Sequence, residues 1–192
     1  MYQYVKYFRI FAGSQKREPL KTKNVDKHQV DLTTEVVARF PNGGKVVVYN
    51  AIDRTTGDFQ RILCCAKYFA RQGKHVVMPP KLNVTYKNSV YDTIFGTLRG
   101  TPYYGKCPDL IVDGVWYEHE GFTKPNPKSN FSNMLRRGLA QSDRIIIEKC
   151  GLSERIMRKS IRDRLASGIR IQEILMHDGE QITLVFKNTE GQ

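Results

Sequence analysis

Long apolar segments are missing from this sequence of 192 residues. No stretch approaches the roughly 20 apolar residues that a membrane-spanning helix needs, and no amphipathic lysine-rich helix indicates binding to a membrane surface. The opening residues, MYQYVKYFRIFAG, also lack the continuous apolar region of a signal peptide. We therefore expect a cytoplasmic protein with no membrane partner.

Cysteine motifs are missing as well. The chain has 4 cysteines, Cys64, Cys65, Cys107 and Cys150, but no CxxC pair and no histidine at metal-ligand spacing. Zinc motifs usually show as regular cysteine and histidine patterns, so a structural zinc site is not expected. Unpatterned cysteines suit a reducing compartment. Internal repeats and low-complexity segments are also absent from the sequence.

Acidic residues are fewer than basic residues in this chain. It has 31 lysines and arginines against 19 aspartates and glutamates, which gives a net charge of +12 and a pI of about 9.6. Such an excess favours a polyanionic partner, and nucleic acid fits it best. The hydrophobic fraction of 40% and the aromatic fraction of 10% are typical of a folded soluble domain with a substantial core.

Hydrophobic periodicity predicts an α/β (α+β) fold, in which helices pack on a mixed central sheet behind an N-terminal β-hairpin. Residues 1–24 are typical of an exposed basic arm, and we divide the chain into an extension over 1–55 and an α/β domain over 56–192. Alternation in the last strand predicts that Leu184 and Phe186 face the core. The predicted elements are, in order, strands over 33–40 and 45–50, a helix over 56–72, a strand over 74–78, a short helix over 91–98, a hairpin centred on 113–114, a helix over 131–141, a strand over 144–147, a helix over 153–166, and strands over 171–176 and 181–187.

The segment 106–122, KCPDLIVDGVWYEHEGF, combines apolar alternation, a tight turn and ionisable residues. Asp113-Gly114 is a strong signal for a two-residue hairpin turn. Residues that flank such a turn pair directly, so the register sets Asp109 opposite Glu118, and Glu120 shares a strand face with Glu118. Three carboxylates this close repel one another unless a cation, a metal ion or a shared proton intervenes. The constellation predicts a functional site, and the alternative is a hairpin whose polar face is solvated.

A strand that opens with Pro-Asp, followed by a strand with acidic residues, resembles the PD-(D/E)XK arrangement of many nucleases. The resemblance implies that Asp109 and Glu118 bind Mg²⁺, and that a lysine two residues after the second acid orients or activates the attacking water. Glu120 stands at that lysine position, with His119 before it. Either Glu120 adds a metal ligand, or His119 is the base, or Lys106 or an arginine from a neighbouring helix supplies the charge, or the site is not a metal nuclease.

Two further stretches are candidates for nucleic-acid binding. Tyr103 and Tyr104, beside Lys106, combine stacking faces with positive charge, as single-stranded nucleic-acid surfaces do, although tyrosines also cover core edges. The predicted helix over 153–166 directs Ile156 inward and a cationic side outward. That side consists of Arg155, Arg158, Lys159 and Arg162. Arginines at helical spacing can contact successive phosphates, and the alternative is a solvated face.

Three segments together resemble a known family. They are CAKYFARQGKHVVMPP over 65–80, CPDLIVDGVWYEHEG over 107–121 and FSNMLRRGLAQSDRIIIEK over 131–149. They are similar to the C-terminal toxin nuclease domains of CdiA-type contact-dependent inhibition proteins and to phage-borne barnase/EndoU/colicin/RelE-like (BECR) nucleases. In those domains a helix ending in Gly enters a strand, a PD-strand-G-strand-acid hairpin follows, and Q-(A/S)-D-x-I-(I/V)-I leads into the next strand. Residues 141–147 match that last motif, and the resemblance covers roughly the last two-thirds of the chain.

The resemblance implies a nuclease of toxin or mobile-element type that cleaves RNA, commonly tRNA. The catalytic candidates that it carries over are Asp109, Glu118, Glu120, Arg136 and Gln141. Metal-free cleavage of RNA would need a base such as His119 or Glu120, and Arg136, Arg137 or Lys106 to stabilise the charge on the phosphorus centre. A cognate immunity protein is the implied partner. The alternatives are an inactive nucleic-acid-binding module on the same fold and a metal-dependent DNase.

Overall fold

The strands predicted from apolar runs form one mixed sheet. The computed structural model describes residues 30–82, 89–121, 127–149 and 151–189. The described strands are β1 (Thr34–Arg39), β2 (Lys45–Tyr49), β3 (His75–Met78), β4 (Leu110–Val112), β5 (Val115–Glu120), β6 (Arg144–Glu148), β7 (Glu173–His177) and β8 (Ile182–Lys187). The described helices are α1 (Gly57–Arg71), α2 (Ser89–Phe95), α3 (Pro127–Gly138) and α4 (Glu154–Ala166), with a 3₁₀ turn over Gly96–Leu98. The arm expected over 1–24 lies outside the described residues.

The order of strands in the sheet follows their order in the chain, from β1 to β8. The pairs β2–β3, β5–β6 and β6–β7 are parallel, and the other neighbours are antiparallel. Parallel neighbours need a crossover connection, which α1, α3 and α4 supply. The predicted mixed sheet with packed helices and an N-terminal hairpin is therefore confirmed. Since β2 pairs with β3, the hairpin continues the same sheet, and the division of the chain at residue 55 stays a prediction.

Helices cover both faces of the sheet because side chains alternate along each strand. On β6, Ile146 packs into the apolar cluster around α1, whereas Ile145 and Ile147 pack into the cluster around α3 and α4. A third cluster surrounds α2, where Phe95 stacks on Trp116 of β5 with ring centroids 5.1 Å apart. Within the described ranges, every helix falls short of the length and apolar character of a membrane span.

The turn between β4 and β5 has the backbone that its sequence predicts. Asp113 and Gly114 both have positive φ, 48° and 84°, as a type I′ hairpin turn requires. The register also follows as expected, with Leu110 opposite Tyr117. The hairpin therefore brings its acidic residues to the end that lies away from the turn.

Two apolar residues lie on the surface although the sequence predicts that they face the core. Ile156 of α4 is 46% exposed, because the buried stripe of the helix runs through the next residue, Met157. Leu184 of β8 is 59% exposed. A bulge in this strand pairs Leu184 and Phe186 with consecutive residues of β7, so Phe186 changes to the opposite face. Leu184 keeps the face of buried Ile182, but β8 is the last strand of the sheet and has a neighbouring strand on one side only.

Close packing of α1 on the turn between β1 and β2 requires glycine at position 44. A Cβ atom at Gly44 would lie 1.8 Å from the carbonyl oxygen of Ala70, and only backbone movement relieves such a clash. We expect Gly44→Ala to lower the free energy of unfolding by about 3 kcal/mol or more, at the upper end of overpacking costs. Urea denaturation followed by circular dichroism measures this change.

The matched control for this substitution is Gly57→Ala, at the first residue of α1, where a Cβ atom would meet nothing within 4 Å. Alanine is the better helix former, so we expect this variant to stay within about 1 kcal/mol of the wild type. Equal free energies of unfolding for the two variants would contradict the close packing at Gly44.

Candidate functional site

The carboxyl ends of several strands meet at one edge of the sheet and form a cleft there. Strands β2, β3 and β5 run in the same direction, and β4 begins at this edge because it is antiparallel to β3 and β5. The cleft has a volume of about 580 Å³, which lies within the range of about 300–1,000 Å³ usual for ligand sites. Its lining includes Ile52, Asp58, Phe59, Lys81, Asp109, Glu118, His119, Glu120 and Arg137.

Three carboxyl groups of the hairpin lie in this cleft. Asp109, Glu118 and Glu120 are only 8%, 6% and 8% exposed. Asp109 directly precedes β4, whereas Glu118 and Glu120 share one face of β5. The Asp109 carboxylate accepts a hydrogen bond from the backbone N–H of His119 at 3.0 Å, so the hairpin itself orients this acid. Buried carboxylates are costly without compensating charge, and two cations supply that charge here.

Lys81 is the first of these cations. Its Nζ lies 2.8 Å from Oδ1 of Asp109 and 3.5 Å from Oε2 of Glu118. It also donates a hydrogen bond to the carbonyl oxygen of Cys107 at 2.6 Å. Lys81 follows β3 after two prolines, so the strand beside the hairpin carries the ammonium group to the two acids. Sequence reasoning missed this residue because the motif lysine is sought two residues after the second acid.

Arg137 of α3 is the second cation. Its Nη2 lies 2.6 Å from Oε2 of Glu120, so an arginine from a neighbouring helix pairs with the acid that stands at the motif-lysine position. Gly138 permits this approach, since a Cβ atom there would lie 3.1 Å from Cγ of Glu120 and 2.9 Å from Cγ2 of Ile145. Each acid of the hairpin therefore has a basic partner from another element.

Burial and neighbouring charges change the proton affinities of these groups. Burial raises the pKa of Glu118 well above its ordinary value, Asp109 raises it further, and Lys81 offsets only part of the rise. Burial also raises the pKa of Glu120, although Arg137 counteracts it. Burial by itself lowers the pKa of Lys81, but the attraction of Asp109 and Glu118 outweighs it, so that pKa is raised. The cleft thus holds a stable cation beside a carboxyl group that keeps its proton to unusually high pH.

A second group of ionisable residues lies on the opposite face of β5, beneath α1. Nε2 of His119 lies 2.7 Å from Oε1 of Glu148, and Nδ1 of His177 lies 3.0 Å from the same oxygen. Cys65 of α1 completes the histidine cluster, Cys65, His119, Glu148 and His177, whose four donor atoms all lie within 4.8 Å of one another. The imidazole of His119 is therefore hydrogen-bonded to Glu148, and its role as a base stays a prediction. No spacing rule indicates this cluster, because its members come from one helix and three strands.

Protonation within the histidine cluster follows from its contacts. Burial of Glu148 by itself raises the carboxyl pKa, but the hydrogen bonds with His119 and His177 outweigh burial and lower it. An ionised carboxylate only accepts hydrogen bonds, so both ring nitrogens that face Glu148 donate. Burial, together with the charge of Glu148, raises the pKa of the Cys65 thiol. In the absence of a cation the cysteine is therefore a neutral thiol.

Comparisons with known proteins give one structural match. No protein-family model matches this sequence, and no curated protein matches it either. Among solved structures, the chain is similar to a CdiA-CT/CdiI toxin and immunity complex from Burkholderia pseudomallei, with 19% sequence identity and a TM-score of 0.42. The match covers 71% of this chain and 89% of that chain. A TM-score this low supports no inference about the fold or the function of this chain, so the toxin role and the immunity partner stay predictions.

Several residues predicted for the site lie outside the lining of the cleft. Arg136 is exposed on α3, and Gln141 is half-buried just beyond the end of that helix. Tyr103 is half-buried, whereas Tyr104 and Lys106 are exposed in the segment before the hairpin. Their roles in catalysis or in nucleic-acid binding stay predictions.

The basic residues predicted on α4 are exposed as expected. They are Arg155, Arg158, Lys159 and Arg162. Arg158 pairs with Glu154 at 2.6 Å, and Lys159 pairs with Asp163 at 2.8 Å. Such exposed pairs one helical turn apart contribute only about 0.3–0.5 kcal/mol each. These cations can therefore exchange their carboxylate partners for phosphate at little cost.

Proposed function

We propose that this protein is a nuclease that cleaves phosphodiester bonds in the cleft, with RNA as the favoured substrate and tRNA first among RNAs. The observation that carries the proposal is the position of Lys81 Nζ between Asp109 and Glu118. This position supports the proposal because PD-(D/E)XK nucleases also place two acids and one lysine close together, on a pair of strands. The preference for RNA, the toxin context and a cognate immunity protein rest on the sequence resemblance alone.

The donors of the cleft suit a hard divalent cation. Oxygens of Asp109 and Glu118 already converge on one positive group, the ammonium of Lys81, and Mg²⁺ prefers carboxylate oxygen. These two residues would hold the ion, which would supply a water molecule of lowered pKa as the nucleophile. Lys81 Nζ adds a fixed positive charge beside the two acids, where it can offset the negative charge that develops on the phosphate.

Glu120 is the candidate base for cleavage of RNA without a metal ion. Burial raises its pKa, and a general base is most effective when its pKa lies near the working pH. Its carboxylate would take the proton of the 2′-OH group, while Arg137, 2.6 Å away, orients that carboxylate. Arg137 and Lys81 would then stabilise the charge of the phosphorane.

Incubation of the purified protein with labelled tRNA, other RNA and DNA tests the proposal. We expect Asp109→Asn to reduce the cleavage rate at least about 100-fold, since loss of a group that acts directly in the reaction typically costs about 10²–10⁴-fold. Parallel assays with Mg²⁺ and with EDTA distinguish the two routes. A 2′,3′-cyclic phosphate on the RNA product identifies metal-free transesterification, whereas cleavage of DNA alone would favour a PD-(D/E)XK-like DNase.

Asp113→Asn is the matched control, because Asp113 is an exposed acid at the other end of the same hairpin, paired with Lys74 at 3.0 Å. We expect it to cleave as the wild type does. Equal rates for Asp109→Asn and wild type would exclude Asp109 as a metal ligand in the reaction and leave only the metal-free route through Glu120. If no substrate is cut with or without metal ions, the protein is not a nuclease.

A nucleic-acid-binding module without catalysis is the second candidate. The observation that favours it is that Lys81 and Arg137 already compensate the acids of the hairpin, so the cluster needs neither a metal ion nor a substrate. In that case Asp109→Asn would bind nucleic acid as tightly as the wild type. Affinity would fall steeply with salt, because each phosphate contact of a cationic surface such as that of α4 releases counterions.

A further inference from the structure

The histidine cluster lies beneath α1, apart from the acids of the cleft. We propose that Cys65, His119, Glu148 and His177 bind one zinc ion in a structural site that fastens α1 to the carboxyl ends of β5, β6 and β7. This inference is independent of the proposed nuclease function. It rests on the convergence, the chemistry and the burial of the four donors.

The four donors converge closely enough for one ion. All four lie within 4.8 Å of one another, and both histidine nitrogens lie within 3.0 Å of one Glu148 oxygen. A tetrahedral zinc ion, with bonds of about 2.0–2.3 Å, keeps its ligand atoms less than about 4 Å apart. The four donor atoms therefore need only small shifts to complete this geometry.

The donor types also select zinc over the hard cations. A thiolate, two imidazoles and a carboxylate form a borderline-soft set, whereas Mg²⁺ and Ca²⁺ take oxygen ligands. On binding, the Cys65 thiol releases its proton to solvent. The two ring nitrogens that face Glu148 also give up their protons through solvent, and each imidazole ligates as the neutral tautomer that carries its proton on the other ring nitrogen. Thiolate and carboxylate then balance the two positive charges of the ion, so the interior holds no net charge.

Burial indicates a structural rather than a catalytic ion. Cys65 is fully buried, and the side chains of His119 and His177 are 2% and 4% exposed. Four protein ligands complete a tetrahedron, while catalytic zinc sites keep a position open for water or substrate. The ion would also restrain β5, where His119 separates the two glutamates of the cleft.

Titration of the metal-free protein with Co²⁺ tests the site. Tetrahedral Co²⁺ with a thiolate ligand gives strong visible absorption and a sulfur-to-metal charge-transfer band, whereas octahedral Co²⁺ on the carboxylates of the cleft absorbs weakly. We expect one equivalent to bind with the tetrahedral spectrum and to be displaced by Zn²⁺. Cys65→Ser should lose the charge-transfer band and weaken binding at least about 100-fold, since even outer-shell changes cost about 10–100-fold. Cys64→Ser, at the exposed neighbouring cysteine, should bind as the wild type does.

The variant Asp109→Asn/Glu118→Gln separates this site from the cleft. It should retain the tetrahedral spectrum even though it removes the candidate Mg²⁺ ligands, and Zn²⁺ should raise its Tm. No tetrahedral Co²⁺ spectrum in the wild type, or an unchanged spectrum in Cys65→Ser, overturns the zinc site. If Cys65→Ser does not fold, the Tm measurement decides, because a double variant that Zn²⁺ leaves unchanged has no structural zinc site.

Discussion

Replacement of Lys81 by methionine is expected to reduce nucleic-acid cleavage at least about 100-fold, as is typical when a group that stabilises transition-state charge is removed. Methionine keeps the length and the apolar stem of the side chain but removes the ammonium group that lies 2.8 Å from Asp109. Single-turnover rates on labelled RNA, with enzyme in excess, measure the loss in the chemical step. Binding of RNA to the same variant should change little, because only one positive charge of the surface is lost.

Lys74→Met is the matched control for this substitution. Lys74 directly precedes β3 at its other end, and its Nζ pairs with an acid of the same hairpin, Asp113, at 3.0 Å. We expect this variant to cleave at the rate of the wild type. Lys81→Arg should be intermediate, because it keeps the charge but not the compact geometry of an ammonium group. A Lys81→Met protein with full activity would show that the reaction does not use this charge.

Replacement of Glu118 by glutamine is expected to abolish cleavage and to stabilise the fold at neutral pH. Burial raises the pKa of Glu118 in the folded protein above its unfolded value. As pH rises between these two values, the unfolded chain loses a proton that the folded chain keeps, so the free energy of unfolding falls. Glutamine has no proton to lose, and Glu118→Gln therefore avoids this fall. We expect the free energy of unfolding to rise by about 0.5–2 kcal/mol at pH 7, which is the usual size of a stabilising substitution.

Urea denaturation at a series of pH values checks the direction of this effect. The difference between Glu118→Gln and wild type should be small near pH 4 and should grow as pH rises above the ordinary glutamate pKa of about 4.3. Glu154→Gln, at an exposed glutamate of α4, should differ from wild type by less than about 0.5 kcal/mol throughout. A Glu118→Gln protein that is less stable than wild type at pH 8 would contradict the cost assigned to this buried carboxyl group.

Local sequence predicts the hairpin because its determinants are local. Asp113-Gly114 accepts the two positive φ values of the turn, and a two-residue turn leaves one register for the flanking strands. That register alone brings Asp109 next to Glu118. The alternation of Ile145, Ile146 and Ile147 between two cores likewise follows from strand geometry, and it explains why a continuous apolar run forms a strand with both faces covered.

The partners of the acids are not predictable from local sequence. Lys81 reaches Asp109 only because β3 and β4 pair. The connection between these strands is long, so no rule based on sequence spacing predicts that they pair. Cys65 and His177 meet His119 through the packing of α1 and the order of the parallel strands, which periodicity does not specify. The exposure of Leu184 depends on the place of β8 at the edge of the sheet, which alternation within one strand does not specify.

The sequential order of strands has a consequence for how the chain folds. Because each described strand pairs with its neighbour in sequence, no pairing bridges an intervening strand, which lowers contact order and favours rapid folding. The connection between β3 and β4 is the longest between paired strands, so its closure carries the largest loop entropy. We expect β4 and β5 to form their hairpin before β3 joins them. Asp109 and Glu118 would then meet each other before they meet Lys81, so their mutual repulsion would oppose folding until the docking of β3 supplies the neutralising charge.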